Sequence, residues 1–238
     1  MASLMKLLKK IILISLLLGM PPGSFAQTFG LKAGLNLTNM LWIFNDEDWS
    51  DNFYKMKTGF RFGTTVEFPV YNIVSLETGL LLSNKGYRHS EEAIWIADPY
   101  AESLHYLEIV ESRGKFDLYY LDIPLSVKVS FDEGDVKIYG TFGPYIGIGL
   151  NGTNKFEVNR HGETETREIV IRWGSGNYDH FKRIDYGLLV GAGVEINSVR
   201  IGLSYAMGLE NISPPAYFDY KYTNRVSGIS VGYKFGGK

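Results

Sequence analysis

Between residues 28 and 40 the chain alternates without a break: Phe29, Leu31, Ala33, Leu35 and Leu37 fall on one side of an extended backbone, and Gly30, Lys32, Gly34, Asn36 and Thr38 on the other. Successive side chains of a strand point to opposite faces, so this two-residue period predicts a strand with one apolar face. Segment 57–68 repeats the pattern, with Phe60, Phe62, Val66 and Phe68 against Lys57, Arg61 and Glu67. Segment 74–83 sets Leu76, Leu80 and Leu82 against Ser75, Glu77 and Ser83. Further alternating segments cover 119–131, 136–150, 183–196, 199–207 and 227–235. That makes about eight strands, the smallest number usual for outer-membrane barrels.

The connections agree with this reading. Short links at 69–72, 132–135 and 197–198 alternate with long ones at 41–55, 84–116, 151–182 and 209–224. Transmembrane barrels join strands by tight periplasmic turns and longer outer loops. The expected fold is therefore all-β: an eight-stranded antiparallel up-and-down transmembrane barrel over residues 27–238, with both mature termini in the periplasm. Pro124 and Pro144 lie inside predicted strands. Each lacks an amide for the ladder, and β-bulges are expected at both.

Residues 1–26 look like a cleaved secretory signal peptide, with Lys6, Lys9 and Lys10, then an apolar run, then Pro21, Pro22 and Gly23, and finally Ser24 and Ala26 before Gln27. The apolar run is only about half of the roughly 20 residues that span a bilayer as a helix. The chain has no cysteine, which excludes a lipid-modified anchor. A net charge of -2 gives no general attraction to nucleic acid. A mean hydropathy of -0.06 is compatible with a membrane barrel, whose strands carry polar residues toward the lumen.

The inward face collects charge of both signs: Lys32, Arg61, Lys128, Lys137 and Arg200 against Glu67, Glu77, Asp122, Asp185 and Glu195, with Lys57, Arg183 and Lys234 on the same alternation. In a lumen this narrow, opposite charges are expected to pair as a structural plug. Aromatic residues gather at strand ends. Phe29, Phe68, Tyr71, Phe131, Tyr233 and Phe235 mark the periplasmic interface, and Phe53, Tyr54, Tyr87, Tyr119 and Phe181 mark the outer one. Two girdles at headgroup level are the expectation.

The run from Tyr119 to Leu125, then Gly143-Pro144-Tyr145-Ile146-Gly147, then the stretch from Asp185 to Glu195, and then Ser204-Tyr205-Ala206-Met207-Gly208-Leu209-Glu210-Asn211-Ile212 together resemble the PorT-like outer-membrane β-barrel family of the Bacteroidota. The opening around Gly30 to Asn36 and the closing Gly232-Tyr233-Lys234-Phe235 fit as well. The resemblance spans essentially the mature chain and lies in the order of its motifs. It implies an eight-stranded outer-membrane barrel with the two prolines as family features. For some members it also implies a link to type IX secretion. Gly236-Gly237-Lys238 departs from barrels that finish on an aromatic residue, and Phe235 stands close enough to serve.

Little in the sequence points to chemistry. His89, His105, His161 and His180 lie in long links without a ligand set, so neither a metal nor a cofactor is expected. Ser175, Asp179 and His180 are the nameable catalytic candidates, but sequence proximity carries no hydrogen-bond geometry, and no enzyme is expected. The long links carry β-prone stretches at 94–96, 106–110 and 164–173, expected to extend the barrel outward as hairpins. Trp95, Trp173, Tyr217, Phe218, Tyr220 and Tyr222 are candidate loop-surface anchors, with mutual packing as the alternative. The expected partners are outer-membrane lipid and lipopolysaccharide, and other envelope proteins. The expected role is a membrane anchor with binding loops. A narrow porin-like channel and a soluble lipid-binding barrel are the alternatives.

Overall fold

The computed structural model describes residues 27–44, 47–48, 54–96, 108–160, 163–176, 178–214 and 220–235. The signal-peptide reading of residues 1–26 therefore lies outside the described residues. Among the described residues there are twelve strands: β1 (Thr28–Phe44), β2 (Glu47–Asp48), β3 (Tyr54–Lys55), β4 (Lys57–Tyr71), β5 (Val74–Lys85), β6 (Arg88–Ile96), β7 (Glu108–Glu133), β8 (Val136–Arg160), β9 (Glu163–Val170), β10 (Ile184–Ile196), β11 (Val199–Gly208) and β12 (Tyr220–Phe235).

Eight of these close a ring in the order β1, β4, β5, β7, β8, β10, β11, β12, every neighbour antiparallel. The ring is sealed by β1 and β12, paired from Phe29 with Phe235 to Phe44 with Tyr220. Closure removes the edges that an open sheet of this length would expose. Three two-residue turns sit at one end, at Asn72-Ile73, Gly134-Asp135 and Asn197-Ser198. Asn72, Gly134 and Asn197 take positive φ there, the conformation that tight hairpins demand and that glycine and asparagine tolerate best.

At the opposite end the wall continues past the ring. β7 is 26 residues long and β8 is 25. A membrane-spanning strand needs only about 9–11 residues. Their outer halves pair with each other, β6 adds on one side and β9 on the other, and β3 pairs with β6, so the wall grows into a sheet extension at the loop end. Of the segments expected to grow outward, 94–96, 108–110 and 164–170 do so, whereas 171–173 leave the strand and 106–107 lie outside the described residues.

The expected bulges at the prolines are absent. Pairing of β10 with β8 runs through Leu188 and Pro144 in one unbroken register. The β7–β8 pairing moves from Pro124 with Tyr145 to Val127 with Phe142 without a shift. A proline removes one donor, yet neither ladder inserts a residue there, and the Pro124 carbonyl accepts from Thr78 Oγ1 at 2.7 Å. The bulge in this wall lies between Tyr119 and Tyr120, where Leu150 is the extra residue on β8. From there on both Leu150 and Asn151 face outward.

The molecule is inverted relative to a soluble protein. Leu35, Leu80 and Val190 are 60%, 52% and 49% exposed, and Leu31, Phe62, Leu125, Phe142, Ile146, Leu203 and Ile229 join them on the outside. The interior instead holds Lys57, Arg61, Glu77, Asp122, Lys128, Asp185, Glu195 and Arg200. Soluble monomers rarely expose contiguous apolar patches beyond a few hundred Å². A belt of this kind around a closed barrel is a surface for hydrocarbon.

Candidate functional site

Among the described residues, the lumen is where the strands bring chemically active side chains together in number, and its closure follows from the alternation of the strands. Near the turn end, Lys128 on β7 lies 3.0 Å from Glu67 on β4 and 3.2 Å from Glu195 on β10. Arg200 on β11 reaches Glu67 at 2.6 Å and Glu195 at 3.3 Å, and also pairs with Glu77 on β5. Lys234 on β12 meets Glu195 at 2.6 Å, and Ser75 donates to Glu67 at 2.8 Å. The Tyr139 ring of β8 sits under both Lys128 and Arg200, at 4.9 and 5.2 Å. Three carboxylates and three cations balance, drawn from six of the eight ring strands.

A second centre lies toward the loop end. Lys85 on β5 is 2.8 Å from Asp122 on β7 and 3.0 Å from Asp185 on β10. Asp185 also accepts from Asn224 at 3.0 Å and from the Tyr145 hydroxyl at 3.2 Å. The Lys85 ammonium rests over the rings of Tyr120 and Tyr145, at 4.6 and 4.8 Å. Lys85 is 1% exposed and Asp185 0%. Charges so fully withdrawn from water persist only when paired and hydrogen-bonded, and here both conditions are met.

Of the ten residues expected to form the lumen network, the structure therefore places Glu67, Glu77, Lys128, Glu195 and Arg200 in one cluster and Asp122 and Asp185 in the other. Arg61 is buried and donates to Ser83 at 3.3 Å. Lys32 lies within electrostatic reach of Glu77, Arg61, Arg200 and Lys128. Lys137 departs from the expectation: it pairs with Asp132 at 3.2 Å on the open turn-end rim, because the two stand directly opposite across the β7–β8 turn. Arg183 is also outside the network, exposed at the start of β10. Lys85 is the residue that sequence reading missed.

Above the second centre the barrel is capped. Met40, Tyr87, Leu118, Tyr120, Ile171, Phe181 and Ile212 form a buried cluster, with Phe116, Trp173 and Tyr222 packed against it. Trp173 meets Tyr120 edge-on at 5.3 Å, and Tyr87 stacks on Phe116 at 4.6 Å. Segment 171–183 carries the lid residues and folds back on itself. Gly174 donates to the Phe181 carbonyl at 3.0 Å, and His180 to that of Arg172 at 2.8 Å. Lys182 fastens it to the neighbouring loop through Glu210 at 3.0 Å. Burial alone would raise the Glu210 carboxyl, but Lys182 and the Tyr186 hydroxyl hold it below its ordinary value.

Several expectations change here. Tyr87 and Phe181 were expected in the outer girdle but are buried in the cap, whereas Tyr119 does face outward, its ring 6.2 Å from Phe60. Phe29, Tyr71, Phe131, Tyr233 and Phe235 are exposed at the turn end. Phe68 is half-buried there, and the side chains of Phe53 and Tyr54 lie outside the description. Trp173 and Tyr222, candidate surface anchors, pack into the cap, and Tyr222 stacks with Trp42 at 6.3 Å. Trp95 and Tyr220 are placed by their backbones on β6 and β12, and Tyr217 and Phe218 lie outside the described residues.

Two of the three nameable catalytic candidates make hydrogen bonds within the loop. Asp179 accepts the amide of Gly176 at 2.8 Å, and His180 Nδ1 accepts that of Arg172 at 2.9 Å, while Ser175 stands exposed. His89 lies over Gly114 beside Tyr87 and Phe116, and burial lowers its pKa. His105 and His161 lie outside the described residues. Among the described residues no group of three or more potential ligands is arranged for a metal. At the turn end the barrel opens into a vestibule of about 500 Å³, lined by Glu67, Ser75, Asp132, Lys137, Glu195 and Lys234 among others, whose floor is the first ion-pair centre.

A closed ring of this strand order, with apolar exterior and ion-paired interior, coincides with a family model. The model of the outer membrane protein beta-barrel domain matches residues 25–213. The chain belongs to that family. Among solved structures, the chain is similar to the attachment invasion locus protein Ail of Yersinia pestis, at 16% identity and TM-score 0.37 over 89% of this chain and 99% of that one. It is also similar to OprG of Pseudomonas aeruginosa, at 12% identity and TM-score 0.42 over 90% and 99%, and to neisserial surface protein A, at 14% identity and TM-score 0.40 over 87% and 97%. No curated protein sequence matches it.

Proposed function

We propose that this protein is a non-enzymatic anchor of the bacterial outer membrane that holds its sheet extension and loops outside the cell for a surface partner, with both mature termini in the periplasm. The observation that carries this reading is the double closure of the lumen. Two ion-pair centres and an aromatic cap fill the barrel in series, while the wall of β7 and β8 runs on well past what a membrane requires. A filled eight-stranded interior suits a rigid support. Membership of the PorT-like branch, with a link to type IX secretion or surface assembly, rests on the order of motifs from Tyr119 to Ile212.

A narrow solute channel is the second reading, and the polar turn-end vestibule is what favours it. The lipid-binding alternative needs an apolar chamber, and the lumen described here is charged. Reconstitution into planar bilayers separates the first two: the anchor gives no steady unitary current, and reproducible open-channel currents overturn it. Spin labels at Leu35, Leu80 and Val190 report lipid contact on this reading. Water contact at all three defeats it.

A further inference from the structure

Register across the sheet extension lines up four cations. Lys55 on β3 stands opposite Arg88 on β6, Arg88 opposite Lys115 on β7, and Lys115 opposite Lys155 on β8, with Glu168 on β9 ending the row. Directly opposed residues of antiparallel strands project from the same face, and like charges placed so destabilise the sheet. With neighbouring strands about 4.8 Å apart, the four positive groups form a ladder about 15 Å wide. Two rungs have acidic neighbours, Lys115 with Asp117 at 2.9 Å and Lys155 with Glu168 at 3.0 Å. Asp117 is shared with the buried Lys57 at 2.7 Å, so cationic charge remains in excess.

The row's height and direction limit what it meets. His89, Gly114 and Phe116 occupy the opposite face of the same strands and turn toward the cap, so the cations point away from the barrel axis. Lys115 precedes the outward-facing Tyr119 by four residues along β7, on its loop-end side, and the Tyr119 ring lies against Phe60 on the hydrocarbon-facing wall. Four residues of a tilted strand climb about 10 Å, which carries the row out of the apolar belt and into the headgroup layer.

We propose that this ladder binds the phosphate-bearing headgroup of an outer-leaflet glycolipid, the lipopolysaccharide class, alongside the barrel wall. The inference rests on the loop end facing outward, as proposed above. Phosphate groups on a saccharide headgroup at this level would receive guanidinium and ammonium donors from adjacent strands, and their negative charge would relieve the repulsion that the register builds in.

The test uses the full mature chain, refolded in detergent and titrated with purified rough lipopolysaccharide. Replacing Arg88→Gln, Lys115→Gln and Lys155→Gln together is expected to weaken binding at least tenfold, and to remove most of its dependence on sodium chloride. Arg88→Lys with Lys115→Arg and Lys155→Arg keeps the charge and is expected to retain binding. This charge-preserving variant, together with unchanged thermal melting of the glutamine variant, separates lost recognition from lost folding. Lipopolysaccharide stripped of its phosphates should bind the native protein no better than intact lipopolysaccharide binds the glutamine variant. Equal affinity of native protein and glutamine variant overturns the inference, as does full competition by inorganic phosphate at equimolar concentration, which marks a general anion site. Impermeant-reagent labelling of a Lys155→Cys variant on intact cells checks orientation separately. Failure to label overturns the outward-facing reading and the inference with it. Labelling with unchanged lipopolysaccharide affinity sinks the inference alone.

Discussion

Lys85 shows what one side chain does in this barrel. It is the cation between Asp122 and Asp185, and its removal leaves two carboxylates facing each other away from water. Breaking a buried ion pair from one side costs about 3–5 kcal/mol, because the remaining charge is left uncompensated. Lys85→Met is therefore expected to lower stability by roughly that amount in urea unfolding from lipid vesicles. The companion variant Lys85→Met with Asp122→Asn and Asp185→Asn should recover most of the loss, since it removes the stranded charges as well. A Lys85→Met protein within about 1 kcal/mol of the parent would mean that the pair is wet or unimportant. Sequence reading placed Asp122 and Asp185 in the lumen by their alternation but passed over Lys85. Asn84-Lys85-Gly86 has the composition of a turn, yet β5 runs through Lys85 on the same inward alternation as Leu81 and Ser83, and the positive φ of Gly86 comes only after it.

At the scale of elements, the strands were legible wherever hydrocarbon dictates one of their faces. Within the belt, apolar and polar residues must alternate, so the segments from 28 onward declared themselves. Beyond the belt both faces of β7 and β8 can be polar, and the pattern vanishes although the ladder continues. That is why the outer halves of these strands, around Ser112 to Phe116 and Asn151 to Glu157, read as loops in the sequence. The lid was hidden for a different reason. Its position depends on Trp173 lying against Gly149, where an added methyl would come within 2.6 Å of the ring, and no local pattern announces so close an approach. Gly149→Ala is expected to push Trp173 off Tyr120 and speed hydrogen exchange across 171–181, while β10 and β11 keep their protection. An unchanged exchange pattern would count against the packing.

The same lid is expected to respond to acid. His180 Nδ1 accepts the Arg172 amide, which only the unprotonated ring can do, and burial together with the nearby Arg172 charge lowers its pKa. The folded loop thus resists a proton that the open loop accepts near the ordinary value of 6.5. Its contribution to closure is complete above about pH 6.5 and is lost as pH falls through the lower folded value. Hydrogen exchange of residues 171–181 should accelerate between pH 7 and pH 5, and His180→Ala should be fast at both. Exchange that is equally slow in the native protein at pH 5 and pH 7, once corrected for the intrinsic rate, would remove His180 from this role.

For the molecule as a whole, the two kinds of closure act in series and rest on different physics. The cap is apolar and local: Tyr87, Ile171, Trp173, Phe181 and Ile212 come from connecting segments and pack down on Met40, Leu118 and Tyr120 of the ring strands. The ion-pair centres are tied to six strands through Glu67, Glu77, Lys128, Glu195, Arg200 and Lys234, and cannot move without breaking several charge-assisted bonds at once. Opening the loop end alone should then leave the barrel sealed. A Trp173→Gly, Phe181→Gly protein is expected to admit water as far as Lys85 and Asp185, raising the accessibility of a label at Tyr145, yet to show no unitary conductance in planar bilayers. Adding Arg200→Ala to those two changes removes the guanidinium that joins Glu67, Glu77 and Glu195, leaves those carboxylates with Lys128 and Lys234 around a gap, and should give a measurable ion leak. If the lid variant by itself conducts, the ion pairs do not seal the lumen. The reading of the barrel as a closed support would then fall at the point where a channel begins.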